Sequence, residues 1–268
     1  MRCNPGAILA TFAVAALLVT TSVRADDAAP AASSDSSQSS SPDKSPTCDV
    51  PPHLLATDSA LTKVADAVKN SQPLNILVVG SRSSTISASE ASAYPARLQE
   101  MLKEKLPAVA VNVSVELRPK KTAEETAAEL PKLMEDKKPT LVIWQTGTVD
   151  AMRSVDPDDF RSAVDEGVVA LQKAGADVIL MNLQYSPRTE TMISASPYLD
   201  TMRVVAQQYD VPLFDRFAIM QQWNDSGEFD LFSAAHGLEL AKRVHDCLGR
   251  ALSTFVLDAA RINTAQQN

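Results

Sequence analysis

Five short apolar runs punctuate the chain, and longer stretches with helical spacing lie between them. Ile76-Leu77-Val78-Val79 reads as a buried strand ending at Gly80, and Val109 to Val115 as a second, rich in Val. Leu141-Val142-Ile143-Trp144 predicts a third, ending near Gly147, and Val178-Ile179-Leu180-Met181 a fourth. Val211-Pro212-Leu213-Phe214 is short and carries a proline, which has no N–H for a sheet ladder, so it belongs at an edge. Between these runs, Asp156-Pro157 pairs an N-cap with a proline at the first helical position. Phe160, Val164, Val168 and Leu171 then share one face, and Gly175 closes that helix. Tyr94 to Leu106, Thr122 to Met134, Pro197 to Tyr209 and Gly237 to Leu257 behave alike. Near-continuous apolar strands separated by helices imply a parallel sheet covered on both faces: an α/β fold in three layers. In such a fold a site lies beyond the carboxyl ends of the strands. That points to the segments after Gly80, Val115 and Trp144, and to the loop before the last helix.

The ends of the chain follow other patterns. Residues 1–25 read as a secretory signal: Arg2 is the positive start and Ala7 to Thr20 is nearly unbroken apolar sequence. Val23-Arg24-Ala25 then offers small residues for cleavage before Asp26. The stretch is shorter than the ~20 residues of a membrane span, so none is expected after cleavage. Residues 26–47 are mostly Ala, Ser, Asp and Pro, with almost nothing to bury, and read as a disordered tether. The folded domain is expected over 48–260 and a flexible tail over 261–268.

Charge and cysteine content narrow the function. The chain has 25 basic and 33 acidic residues, and its signal holds two of the former and none of the latter. The mature surface is thus more acidic still, and it repels phosphate backbones, which argues against a nucleic-acid partner. Cys3 leaves with the signal, so Cys48 and Cys247 remain as an even pair in an oxidising compartment, which predicts a disulfide. Closing a loop of about 200 residues contributes on the order of 5 kcal/mol in the chain-entropy model.

Three blocks at the strand ends carry candidate chemistry. Gly80-Ser81-Arg82-Ser83-Ser84-Thr85 follows the first strand, Gly147-Thr148-Val149-Asp150 the third, and His236-Gly237-Leu238-Glu239 precedes the last helix. With Ala93-Tyr94-Pro95-Ala96-Arg97-Leu98, Trp144-Gln145-Thr146-Gly147-Thr148 and Cys247-Leu248-Gly249-Arg250, the chain resembles the SGNH hydrolases, or GDSL esterases and lipases, over roughly residues 50–255. The resemblance implies a flavodoxin-like α/β/α sandwich with a five-stranded parallel sheet. It also implies hydrolysis of small O-acyl esters, for instance on an envelope carbohydrate, by a Ser nucleophile without a cofactor. In that family a Ser after strand one attacks, and a His held by an Asp three residues earlier removes its proton. Backbone N–H groups near the Ser and after strand two, with an Asn after strand three, hold the oxyanion. An unaided hydroxyl is a poor nucleophile and a bare oxyanion is costly, so all these roles are needed.

This sequence departs from that pattern at every block. Arg82 stands where the family has its Ser, leaving Ser83 or Ser84 as the candidate nucleophile. The second block, near Arg118-Pro119-Lys120-Lys121, has no Gly, and Lys121 offers only its backbone N–H. Val149 stands at the Asn position and donates nothing. In the last block His236 occupies the acid's place and Glu239 the base's. A rescued dyad would have His236 as base to Ser83 or Ser84, with Glu239 orienting it. Gly80, Arg82, Lys121, Gly147 and Asp150 would surround the oxyanion or substrate. Losing one oxyanion donor typically costs ~3 kcal/mol, so activity is expected to be weak or absent. The alternative is a non-catalytic member that binds a glycan, an anion or a protein partner in the envelope.

Plainer roles exist for the same residues. Ser83, Ser84 and Thr85 suit the cap of a following helix, and Asp150 suits a cap or a pair with Arg153. Arg82 with a helix N-terminus suits an anion. His245 and Cys247 have no apparent third partner, so a metal is not expected. His53 suggests nothing, Trp144 suits the core, and Gln184-Tyr185 lines a pocket or ends a strand. A flavodoxin-like cofactor would need an aromatic clamp that cannot be identified.

Overall fold

The computed structural model describes residues 47–87, 89–232 and 237–262. The expected signal (1–25), nearly all of the tether (26–47), His236 and residues 263–268 of the tail lie outside the described residues. The strands are β1 (Leu74–Gly80), β2 (Val111–Leu117), β3 (Leu141–Gln145), β4 (Asp177–Met181) and β5 (Leu213–Phe214). All neighbours run parallel, in the order β2-β1-β3-β4-β5, the flavodoxin-like arrangement. β3 is wholly buried and β1 nearly so, as strands covered on both faces must be. β2 is an edge with partly open positions, Val115 being 40% exposed. β5 forms the other edge, and Pro212 keeps it to two residues.

The helices are α1 (Pro52–Leu55), α2 (Thr62–Lys69), α3 (Tyr94–Lys105), α4 (Ala123–Ala127), α5 (Leu130–Lys137), α6 (Thr148–Arg153), α7 (Pro157–Lys173), α8 (Pro187–Glu190), α9 (Ser196–Gln208), α10 (Arg216–Asp225) and α11 (Gly237–Ala259). α3 packs on α11, and α7 packs on α4, α5 and α9, giving the two outer layers. The single helix expected over 122–134 is two. α4 opens with a capping box between Thr122 and Glu125, and Pro131, with no N–H to give, sits in the first turn of α5. The second strand begins at Val111 rather than Val109, because a turn bonds Val109 N–H to the Leu106 carbonyl. Trp144 is fully buried in the core.

Cys48 and Cys247 form the expected disulfide, with Cα atoms 5.0 Å apart. It ties the start of the described chain to α11. Trp223 Nε1 strengthens that join by donating to the Asp49 carbonyl at 2.8 Å. Among the described residues no helix is long and apolar enough to cross a membrane.

Several helix ends are capped by residues far away in sequence. Asp177 on β4 accepts from Val64 N–H in the first turn of α2 (2.9 Å). His245 Nδ1 on α11 accepts from Tyr94 N–H at the start of α3 (3.0 Å), where Ala93 offers no side-chain cap. Asp150 Oδ1 accepts from Ala123 N–H at the start of α4 (2.8 Å). Asn182 Oδ1 accepts from Phe217 N–H in α10 (2.9 Å). Each satisfies a donor that the helix itself cannot.

Candidate functional site

The register aligns Gly80 with Leu117, Gln145 with Met181, and Met181 with Phe214, so the strands end on one rim. Beyond β1 the chain makes a single 3-10 turn, Arg82–Ser84, capped by Ser81. The hydroxyls of Ser83 and Ser84 therefore do not cap a helix. They turn to Gln145, the last residue of β3 and 4% exposed. Its Oε1 accepts from Ser84 Oγ (2.5 Å), Ser83 Oγ (3.3 Å) and Arg216 Nη1 (3.4 Å), and its Nε2 donates to Ser81 Oγ (3.0 Å). Arg216 can only donate, so it dictates that the amide oxygen faces this cluster. Gly80 is required here: a Cβ on it would lie 2.2 Å from Ser84 Oγ.

The two serines then part. Ser84 is buried, and its Oγ also accepts from Tyr94 Oη at 3.1 Å. Burial pushes the Tyr94 phenol above its usual range, so it stays a donor. Ser83 Oγ accepts from Arg216 Nη1 at 3.3 Å and lies on the wall of a cavity of about 260 Å³. Arg216, Tyr185, Ser186 and His245 line the same cavity, with an apolar wall from Met220, Leu240, Val244 and Leu248. Burial, helped by the Arg216 charge, drives the His245 pKa down to about 4, so its ring is neutral at pH 7. With Nδ1 accepting from Tyr94 N–H, the ring proton sits on Nε2.

The residues expected around an oxyanion gather elsewhere on the rim. Gly80, Lys121, Gly147 and Asp150 line a cleft of about 10 Å³, room for one water. Gly147 turns the chain there at φ 95°, in the left-handed region that favours glycine. Lys121 N–H is donated to the Arg118 carbonyl (3.3 Å), and its ammonium pairs with Glu129. Asp150 is buried, which pushes its carboxyl up, and it serves α4 as a cap. Arg153 pairs instead with Glu125 (3.2 Å). Arg82 is exposed. Glu239 extends into solvent and pairs with Lys242 at 2.8 Å. His236 lies outside the described residues.

Gln145, Tyr94, Arg216 and His245 thus hold the center of the site, and the sequence blocks did not single them out for it. Two carry a signal in retrospect. His245 falls in step with the half-buried Ala241 and the buried Leu248 and Leu252 on the inward side of α11. Arg216 interrupts an apolar run, Leu213-Phe214 to Phe217, just beyond a strand end.

A family model described as the Non-GDSL lipase-like family matches residues 47–262. No curated protein matches by sequence. Among solved structures the chain is similar to TesA, at 22% identity over 66% of this chain and 99% of that chain, with a TM-score of 0.50. It is also similar to a chain described as a lipolytic G-D-S-L protein from Desulfitobacterium hafniense (18%; 68% and 98% covered; TM-score 0.51). An acetylxylan esterase from Geobacillus stearothermophilus aligns at 16% identity, covering 73% of this chain and 97% of that chain, with a TM-score of 0.57. At these identities the likeness speaks for a shared fold.

Proposed function

The chain belongs to the Non-GDSL lipase-like family and carries the SGNH hydrolase fold, and from that premise we propose an exported binding protein with weak or absent ester turnover. The observation that carries this reading is the set of partners around the two candidate nucleophiles. Ser83 bonds to Ser81, Gln145 and Arg216, and Ser84 to Gln145 and Tyr94. None of these accepts a proton at neutral pH, and an attacking hydroxyl needs a base. The Lys121 N–H, offered for an oxyanion, is already engaged within a turn. Export is supported by the N-terminal pattern and by the Cys48–Cys247 bridge.

A second reading keeps catalysis. Ser83 attacks a small O-acyl ester, such as one on an envelope carbohydrate, with His236 as base and Glu239 orienting it. In its favour, Ser83 lies on a cavity wall beside a guanidinium whose charge favours the alkoxide. The two readings separate on hydrolysis of a short-chain aryl ester by residues 26–268. The expected result is a rate no greater than buffer. Turnover that falls a hundredfold or more in Ser83→Ala or His236→Ala would establish the enzyme.

A further inference from the structure

Arg216 opens α10 and is 0% exposed. Its hydrogen bonds run only from Nη1, to the uncharged Ser83 and Gln145. Nε and Nη2 are buried without a partner. Among the described residues no carboxylate pairs with it. The adjacent Asp215 is committed to Asn182, Ala218 and Arg203. The position is doubly poor for a cation. The start of a helix carries the positive end of its dipole, and the interior strips the guanidinium of water. Burial draws its pKa to about 10, which still leaves it charged at pH 7. An anion would relieve this through the two unpartnered nitrogens, with the Ser83 hydroxyl turning from Gln145 to meet it.

The cavity that Arg216 lines has no acidic side chain on its wall among the described residues. Its other ionisable groups, His245 and Tyr185, are neutral at pH 7. Gln184 and Ser186 add uncharged polar groups, and Met220, Leu231, Leu240, Val244 and Leu248 form an apolar stretch of the wall. At about 260 Å³ it sits just below the usual range of small-molecule sites. The guanidinium is the single charge on the described wall, which matches a monoanion, and the apolar stretch matches a hydrocarbon body.

We infer that this cavity binds a small amphiphilic monocarboxylate, its carboxylate on Arg216 and Ser83 and its hydrocarbon body against the Met220, Leu240, Val244 and Leu248 wall. This names the ligand class for the binding reading above and rests on it. Ester turnover would end the binding-only reading yet leave this preference measurable, so the two failures are distinguishable. The test is calorimetric titration of the mature protein with hexanoate, its neutral isostere hexanamide, and inorganic phosphate. Hexanoate is expected to bind at least tenfold more tightly than either. Arg216→Met removes the preference over hexanamide, since its side chain keeps the packing and drops the charge. Leu240→Glu, on the partly exposed first turn of α11, places a competing carboxylate in the cavity and weakens hexanoate at least tenfold. It serves as the second variant should Arg216→Met not fold. Equal binding of hexanoate and hexanamide overturns the inference, as does a preference that persists in Arg216→Met or Leu240→Glu. Phosphate binding as tightly as hexanoate overturns the assignment to an amphiphile.

Discussion

At the β1–β3 end of the rim the described charged side chains are held by partners; toward β5 the buried Arg216 has no counter-charge among the described residues. Around the one-water cleft, Arg118 pairs with Glu129 and Glu116, Lys121 with Glu129, and Asp150 with a helix end. Across Gln145, the fully buried Arg216 meets only neutral oxygens, and a cavity opens beside it. The first region has the signature of a structural joint, because its basic groups are paired within the chain and Asp150 Oδ1 holds a helix start, though Asp150 Oδ2 and Thr148 Oγ1 stay buried without a partner beside the one-water cleft. The second suits the proposed anion site, because no described residue supplies the missing counter-charge. The adjacent serines divide along the same line: Ser84 belongs to the joint and Ser83 to the cavity.

The contrast can be broken most sharply at the residue shared by both sides. Gln145→Leu leaves Ser84 and the Arg216 guanidinium without their common acceptor and should lower stability by about 4 kcal/mol in urea unfolding. A loss within experimental error would mean that the amide does not organize the rim. A somewhat smaller effect concerns His245. Its unfolded ring takes a proton near pH 6.5, its native ring only near 4, so the unfolded state binds more protons across that window. Stability contributed by the neutral ring is present above pH 6.5 and is lost as pH falls toward 4, by about 3 kcal/mol. His245→Asn keeps an acceptor for Tyr94 N–H but does not titrate. The stability gap between the two proteins should therefore shift by that amount between pH 7 and pH 4, and parallel pH profiles would remove the imidazole from the cavity's electrostatics. The smallest effect separates the serines. Ser84→Ala strands the buried Tyr94 hydroxyl and should cost about 1–2 kcal/mol. Ser83→Ala should cost no more than about 0.5 kcal/mol, because the cavity admits water as a replacement partner. Equal losses would erase the division drawn between them.

The sequence alone determined what depends on near neighbours along the chain. Buried strands announced themselves as apolar runs at 76–79, 141–144 and 178–181, the edge strand as a run broken by Pro212, and α7 by its Asp156 cap. The Cys48–Cys247 pairing followed from the even pair that remains when Cys3 is set apart with the expected signal. Blocks around Gly80 and Gly147 located the rim, since strand ends in a parallel sheet must meet there. What the tertiary structure decided are choices of partner between distant residues. Thr122–Met134 carries one periodicity but is two helices, and the caps of α2 and α3 come from β4 and α11. Arg216 reaches Ser83 across 133 positions and His245 reaches Tyr94 across 151. Periodicity records which face of an element is buried. It does not record what that face meets, and a charge is structural or functional according to whether the fold brings it a counter-charge.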